Sequence, residues 1–222
     1  MDKFNKIKND EEIIQIYNKI SELEDKNKGW AHHNLDHVNN VVELVEKLLK
    51  ELKYNQNFIE EAKIAAILHD VGCIEGKEGH ALRSYEYAKK YLKENNIKLE
   101  SKKLVLDAIK NHSNGFDTDN VIALALILSD KLDIKKTRVA KEGYNIKGMR
   151  QLQFIDDILI KINNNILEIN FICDEQIDKM ELEEFYFTKK VFKAIKSFSD
   201  KMQLAPNVLF NYNKWESFFE IK

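Results

Sequence analysis

Apolar residues recur at three- and four-residue spacing in six stretches of the chain, 10–24, 35–52, 57–68, 80–93, 101–111 and 120–132. Each reads as a helix that turns one face to a core. Two segments inside them, 62–68, interrupted only by Lys63, and 121–128, are apolar nearly all round, which predicts central helices packed on several sides. Short connections between the six predict a helical bundle.

After about residue 140 the period changes. Ile158, Ile160 and Ile162 alternate with Leu159 and Lys161, Asn163 to Asn165 supply turn residues, and Leu167, Ile169 and Phe171 alternate with Glu168 and Asn170. That pattern predicts a β-hairpin. One long helix is expected over 178–202, stopped before Pro206, and a short strand over 207–212. The expected fold is mainly α: a helical catalytic core over 1–140, with a small α+β appendage over 141–222 made of the hairpin and the long helix packed on that core.

Composition narrows the function. A chain of 222 residues buries roughly 70% of its unfolded surface without disulfides, so Cys73 and Cys173 are expected as reduced, buried thiols of a cytoplasmic protein. The first ten residues are charged and unlike a signal peptide, and no apolar run approaches the roughly 20 residues that cross a bilayer. Lys+Arg 35 against Asp+Glu 37 leaves a net charge of -2, and the lysine-rich stretches 47–53 and 89–103 read as solvated helix faces. Neither nucleic acid nor a membrane is an expected partner; a homodimer stays open. A phosphorylated ligand would have to be drawn by a local site.

Six histidines, His32, His33, His37, His69, His80 and His112, carry most of the chemical information, because several stand at predicted helix boundaries. His37 lies near the start of one helix, His69-Asp70 ends the apolar helix before Val71-Gly72, and His80 opens the helix after the loop that holds Gly72, Gly76 and Gly79. His112 ends another helix, and Asp130 lies at the end of the apolar run 121–128. Imidazole and carboxylate together suit iron, manganese, cobalt, nickel, zinc or magnesium, and a set without cysteine points to a catalytic site with open positions. Consecutive helical residues diverge by about 100°, so His69 and Asp70 converge only where the helix ends.

In order and wording these residues resemble the HD superfamily of metal-dependent phosphohydrolases, named for its His…His-Asp…Asp signature. The match is His37, His69-Asp70 within Ile67-Leu68-His69-Asp70-Val71-Gly72, and Asp130 within Ser129-Asp130-Lys131, across about 30–140. His80 and His112 occupy the slots where some HD families place ligands for a second metal. Ala108-Ile109-Lys110-Asn111-His112-Ser113-Asn114-Gly115 looks like the corresponding segment of HD-type symmetrical dinucleoside tetraphosphate hydrolases. After the last aspartate, however, the chain reads Leu132-Asp133-Ile134 and lacks the acidic-Pro pair common there. The resemblance does not cover the appendage.

It implies one or two divalent ions held by His37, His69, Asp70, His80, His112 and Asp130. Asp70 is then the catalytic, bridging carboxylate, and the ions activate water against a small phosphorylated substrate. Lys131, next to Asp130, is the expected catalytic phosphate contact; His33 and Arg138 are expected substrate contacts, with Lys77 and Arg83 behind them. Bland readings stand beside these: His32 as an exposed residue, Cys73 as a small residue packed under the loop, Trp30 and Phe116 as core or rim aromatics, and Lys131 as an exposed helix-end lysine. The expected activity is hydrolysis of a nucleotide or dinucleoside polyphosphate. Alarmone and cyclic-dinucleotide hydrolysis fit less well, since the chain lacks the acidic continuation after His-Asp and the Gly-Tyr-Pro signature. A catalytically silent signalling or assembly module would be expected to have lost ligands.

Overall fold

The computed structural model describes residues 2–220. Ten α-helices and four strands occur among them: α1 (Lys3–Lys8), α2 (Glu11–Lys26), α3 (Leu35–Glu51), α4 (Gln56–Leu68), α5 (His80–Glu94), α6 (Lys102–Asn111), α7 (Val121–Leu132), β1 (Ile155–Asn163), β2 (Ile166–Cys173), α8 (Lys179–Glu184), α9 (Tyr186–Lys201), β3 (Ala205–Phe210), β4 (Asn213–Lys214) and α10 (Glu216–Glu220). The six expected helices are present to within two residues at each end. Side-chain caps explain several starts: Asp10, Asn34, Asn55 and Asn120 each accept a backbone N–H of the first turn of α2, α3, α4 and α7.

Helices α4 and α7 form the centre. Every α7 residue from Ile122 to Leu132 is buried, as is α4 from Ile64 to Leu68. Helix α3 lays Val38, Val41, Val42, Val45, Leu48 and Leu49 against them, the 3.6-residue stripe of an amphipathic helix. Each such side chain contributes about 1.5–3 kcal/mol on burial. Helix α1, six residues long, is too short to show a periodicity, yet buries Phe4 and Ile7.

The hairpin forms as expected, with β1 and β2 antiparallel. Strand β3 then pairs parallel with β2, giving the order β1-β2-β3-β4. A parallel neighbour needs a crossover connection, and residues 174–204 provide it. Pro206 is tolerated because β4 covers only Leu209 and Phe210. The expected single helix over 178–202 is broken: Phe185 adopts φ −65°, ψ 126° and separates α8 from α9. No Gly or Pro marks the break. It follows from packing, since a Cβ on Gly148 would lie 2.6 Å from the Phe185 ring. Trp215, fully buried among Phe171, Phe192 and Phe210, closes the sheet side.

Helix α9 packs on α7, and β1 touches α3, so one hydrophobic core runs from the bundle into the sheet. Cys73 and Cys173 are free and buried. No helix among the described residues is long and apolar enough to cross a membrane.

Candidate metal centre

Five helix ends meet around one point. Asn34 caps α3 by accepting the His37 N–H at 3.1 Å, which sets His37 one turn into that helix. His69 still has helical dihedrals as the C-cap of α4, whereas Asp70 (φ −111°, ψ 6°) has left the helix, and this bend turns the two adjacent side chains to one centre. The 3-10 turn Val71–Glu75 follows. Gly72 lets α5 approach: a Cβ there would lie 2.3 Å from the His80 carbonyl oxygen and 2.6 Å from the Ser84 nitrogen. Gly79, at φ +70°, starts α5 and makes His80 its first residue. His112 is the C-cap of α6, and Asp130 lies in the last turn of α7.

Around this point the atoms arrange themselves about Asp70. Its Oδ2 lies 3.5 Å from His37 Nε2 and 3.3 Å from His69 Nε2, and its Oδ1 lies 3.4 Å from His80 Nε2 and 3.3 Å from His112 Nε2. Asp130 Oδ1 is 3.4 Å from His37 Nε2 and 3.9 Å from His69 Nε2. His37, His69, Asp70, His112 and Asp130 are all buried.

All four histidines are oriented from behind. The Nδ1–H groups of His69, His80 and His112 donate to the carbonyl oxygens of Ala66 (2.7 Å), Lys77 (2.6 Å) and Ile109 (2.8 Å), and that of His37 donates to Asp133 Oδ2 (2.7 Å). Each ring therefore turns its Nε2 inward and, when neutral, offers its lone pair there, the tautomer a metal needs. Two of those atoms, His37 Nε2 and His69 Nε2, are buried with no hydrogen-bond partner among the described residues. Two others, His80 Nε2 and His112 Nε2, face each other at 2.9 Å, which is repulsive between lone pairs unless a cation or a proton lies there. Orphaned, inward lone pairs beside carboxylates fit divalent cations. His37, His69 and Asp70 offer atoms all within 4.8 Å of one another, as do Asp70, Cys73 and His80.

The charges add one condition. Burial and Arg138 pull the His37 imidazole down, but hydrogen bonds to Asp130, Asp133 and Asp70 outweigh them and raise it to about 10, so a metal ion would take the place of the proton on His37 Nε2. Against burial, which acts the other way, His69, His112 and His37 hold Asp70 well below the usual carboxylate range, and Lys131 and His37 do the same for Asp130. Both aspartates are anions. Cys73 is a protonated thiol, pushed up by burial and by Asp70.

The other candidates fall differently. Lys131 is buried with its Nζ 2.5 Å from Asp130 Oδ2, so it is not the exposed lysine of the bland reading. Arg83 is engaged with the loop carbonyls of Gly72, Glu78 and Gly76, which assigns it to holding the loop. His33 lies beside the centre, its ring 5.7 Å from that of His37, and its Nδ1 and backbone N–H both meet Glu24. Arg138 is buried, donates to the His32 carbonyl and borders a cavity of about 580 Å3 together with His33, Cys73 and Lys77. Lys77 also borders a second cavity, of about 520 Å3, on the His80 side. His32 is half-buried, where exposure was expected. Phe116 borders neither cavity.

Two residues escaped the sequence reading. Asp133 orients His37 and also accepts from Asn40 at 3.0 Å; its place three residues after Asp130 was the available signal. Glu24, the partner of His33, had none.

Residues 34–141 match the family model of the HD domain. That match spans just under half of the chain. The matched residues include His37, His69, Asp70, His80, His112, Asp130 and Asp133. A crystal structure of a predicted HD superfamily hydrolase from an uncultured Thermotogales bacterium is similar at 24% identity and a TM-score of 0.44, covering 56% of this chain and 67% of that one. No curated protein gives a match.

Proposed function

We propose that this chain is an HD-type metal-dependent phosphohydrolase that hydrolyses a small phosphorylated metabolite, a nucleotide or dinucleoside polyphosphate foremost, at a centre of two divalent ions. The observation that carries this reading is the two-sided environment of Asp70. One carboxylate oxygen faces the His37 and His69 nitrogens and the other faces those of His80 and His112, all at 3.3–3.5 Å. A carboxylate shared in this way is the bridging group of a two-ion site.

His37, His69, Asp70 and Asp130 would hold one ion; Asp70, His80 and His112 would hold the other. Bound ions supply Lewis acidity toward phosphoryl oxygens and a nucleophile from water at neutral pH. The chain's own residues do the rest. Asp133 and three backbone carbonyls fix the ring orientations, and Lys131 holds one oxygen of Asp130 so that the other faces His37 and His69. Arg138, whose remaining guanidinium N–H groups have no partner among the described residues, is placed to receive a phosphate oxygen at the cavity wall.

The reading is tested by loading the full chain with manganese or iron, measuring metal per chain, and screening phosphate release over nucleotides and dinucleoside polyphosphates. Two ions per chain and release from a nucleotide are expected. Saturation at one ion, with His112→Ala unchanged in metal content, would overturn the dinuclear centre.

A further inference from the structure

The geometry points to an aromatic-walled site for a planar organic group, a nucleobase or its like, in the cavity beside the HD centre, with a wall supplied by the appendage. This rests on the phosphohydrolase reading and adds what the substrate carries besides phosphate.

The cavity, about 580 Å3, is within the roughly 300–1,000 Å3 of small-molecule sites. It adjoins the centre through two residues beside the candidate ligands. Cys73 borders it and lies within 4.8 Å ligating range of Asp70 and His80, and His33 borders it beside His37. Arg138 and Lys77 border it as well, and Lys77 and His33 lie close enough to Asp70 to feel its charge. A phosphate at the metal centre would therefore have cations on the cavity side, and whatever it is esterified to would extend into the cavity.

What it would meet there is aromatic and fixed. The break between α8 and α9 puts Phe185, Tyr186 and Phe187 on the wall, with adjacent ring centroids 5.0 Å and 6.3 Å apart. Trp30 joins them from the loop before α3, its backbone carbonyl accepting from Ala140 N–H at 3.0 Å and packed so closely that a Cβ on Gly143 would lie 2.4 Å from its oxygen. Yet Trp30 is 49% exposed and Tyr186 57%. Singly exposed aromatics are unremarkable, but two exposed rings lining one cavity next to the candidate metal centre offer a stacking surface. Asn27 and Glu24 give the same wall polar edges, as a heterocycle requires.

The test compares two phosphomonoesters that differ in the base alone, adenosine 5′-monophosphate and ribose 5-phosphate, on the manganese-loaded full chain. The base should raise kcat/KM at least about tenfold, within the roughly five- to hundredfold that one stacked base is worth. Trp30→Ala and Tyr186→Ala should each shrink that ratio through KM, whereas Tyr212→Ala, exposed and outside the cavity, should leave it alone. A ratio near one in the wild type, or unchanged in both cavity variants, would overturn the site. If no ester releases phosphate, the functional reading fails separately. Calorimetry with adenosine 5′-monophosphate then decides the site: binding weakened tenfold by Tyr186→Ala upholds it, and absence of binding or equal binding overturns it.

Discussion

Asp133 accepts the Nδ1–H of His37 at 2.7 Å across the interface between α3 and the end of α7, and so decides which nitrogen of that ring looks into the centre. Carboxylate and imidazole are both fully buried, and Asn40 holds the second Asp133 oxygen at 3.0 Å. Without this partner the ring is free to turn and to change tautomer. Asp133→Asn should weaken metal binding roughly 10- to 100-fold, read from a manganese titration of the apoprotein. An unchanged affinity would make Asp133 a packing residue.

Lys131→Ala tests a buried ion pair that the sequence could not show. Its Nζ holds Asp130 Oδ2 at 2.5 Å, which leaves Oδ1 toward His37 and His69. We expect lower occupancy at limiting metal, recovering at saturation together with most of the activity. A loss of about tenfold or more in kcat that persists at full metal loading would instead place Lys131 on the substrate phosphate, about 1.4 kcal/mol of transition-state binding.

The motif order of the core was legible because a metal site needs particular residue types, here set at helix ends, and two of those ends carry signals: Val71-Gly72 after α4 and Gly79 before α5. Helix periodicity was legible for the same reason that the core is buried. What was not legible depends on tertiary neighbours. The break at Phe185 answers to Gly148, the parallel pairing of β3 answers to β2, and Glu24 meets His33 only once the chain is folded. The helix α1 was lost to shortness, six residues giving under two turns.

Gly72→Ala should be costly despite adding one methyl group. The new Cβ would meet backbone atoms of α5 at 2.3 Å and 2.6 Å, so the helix, and His80 with it, must move. Overpacking of this kind costs about 1–3 kcal/mol, or roughly 2–4 °C in Tm for each kcal/mol in a chain of this size. The second ion should be lost before the first. Thermal melts with and without manganese, together with metal counts, check both statements; a wild-type melt and two retained ions would contradict them.

Glu181 gives a pH signature away from the centre. Hydrogen bonds from Arg150 and from the Gly148 N–H hold its carboxyl down at about 2. A depressed carboxylate stabilises the fold above its ordinary range and loses that contribution as pH falls through the folded value. Stability should therefore decline between about pH 5 and pH 2, and Glu181→Gln should flatten that part of the curve; Arg150 is half exposed, so the effect is modest. Equal slopes in wild type and variant would remove Glu181 from the account.

Asp70, as proposed, is shared between two ions that carry out phosphate ester hydrolysis. Metal content and phosphate release measured on the same manganese-loaded preparations of wild type and Asp70→Asn test it most directly. The account predicts two ions and turnover in the wild type, with at most one ion and at least about a thousandfold slower release in a folded variant, roughly 4 kcal/mol of lost transition-state stabilisation. Asp70→Asn retaining both ions and wild-type turnover would contradict it.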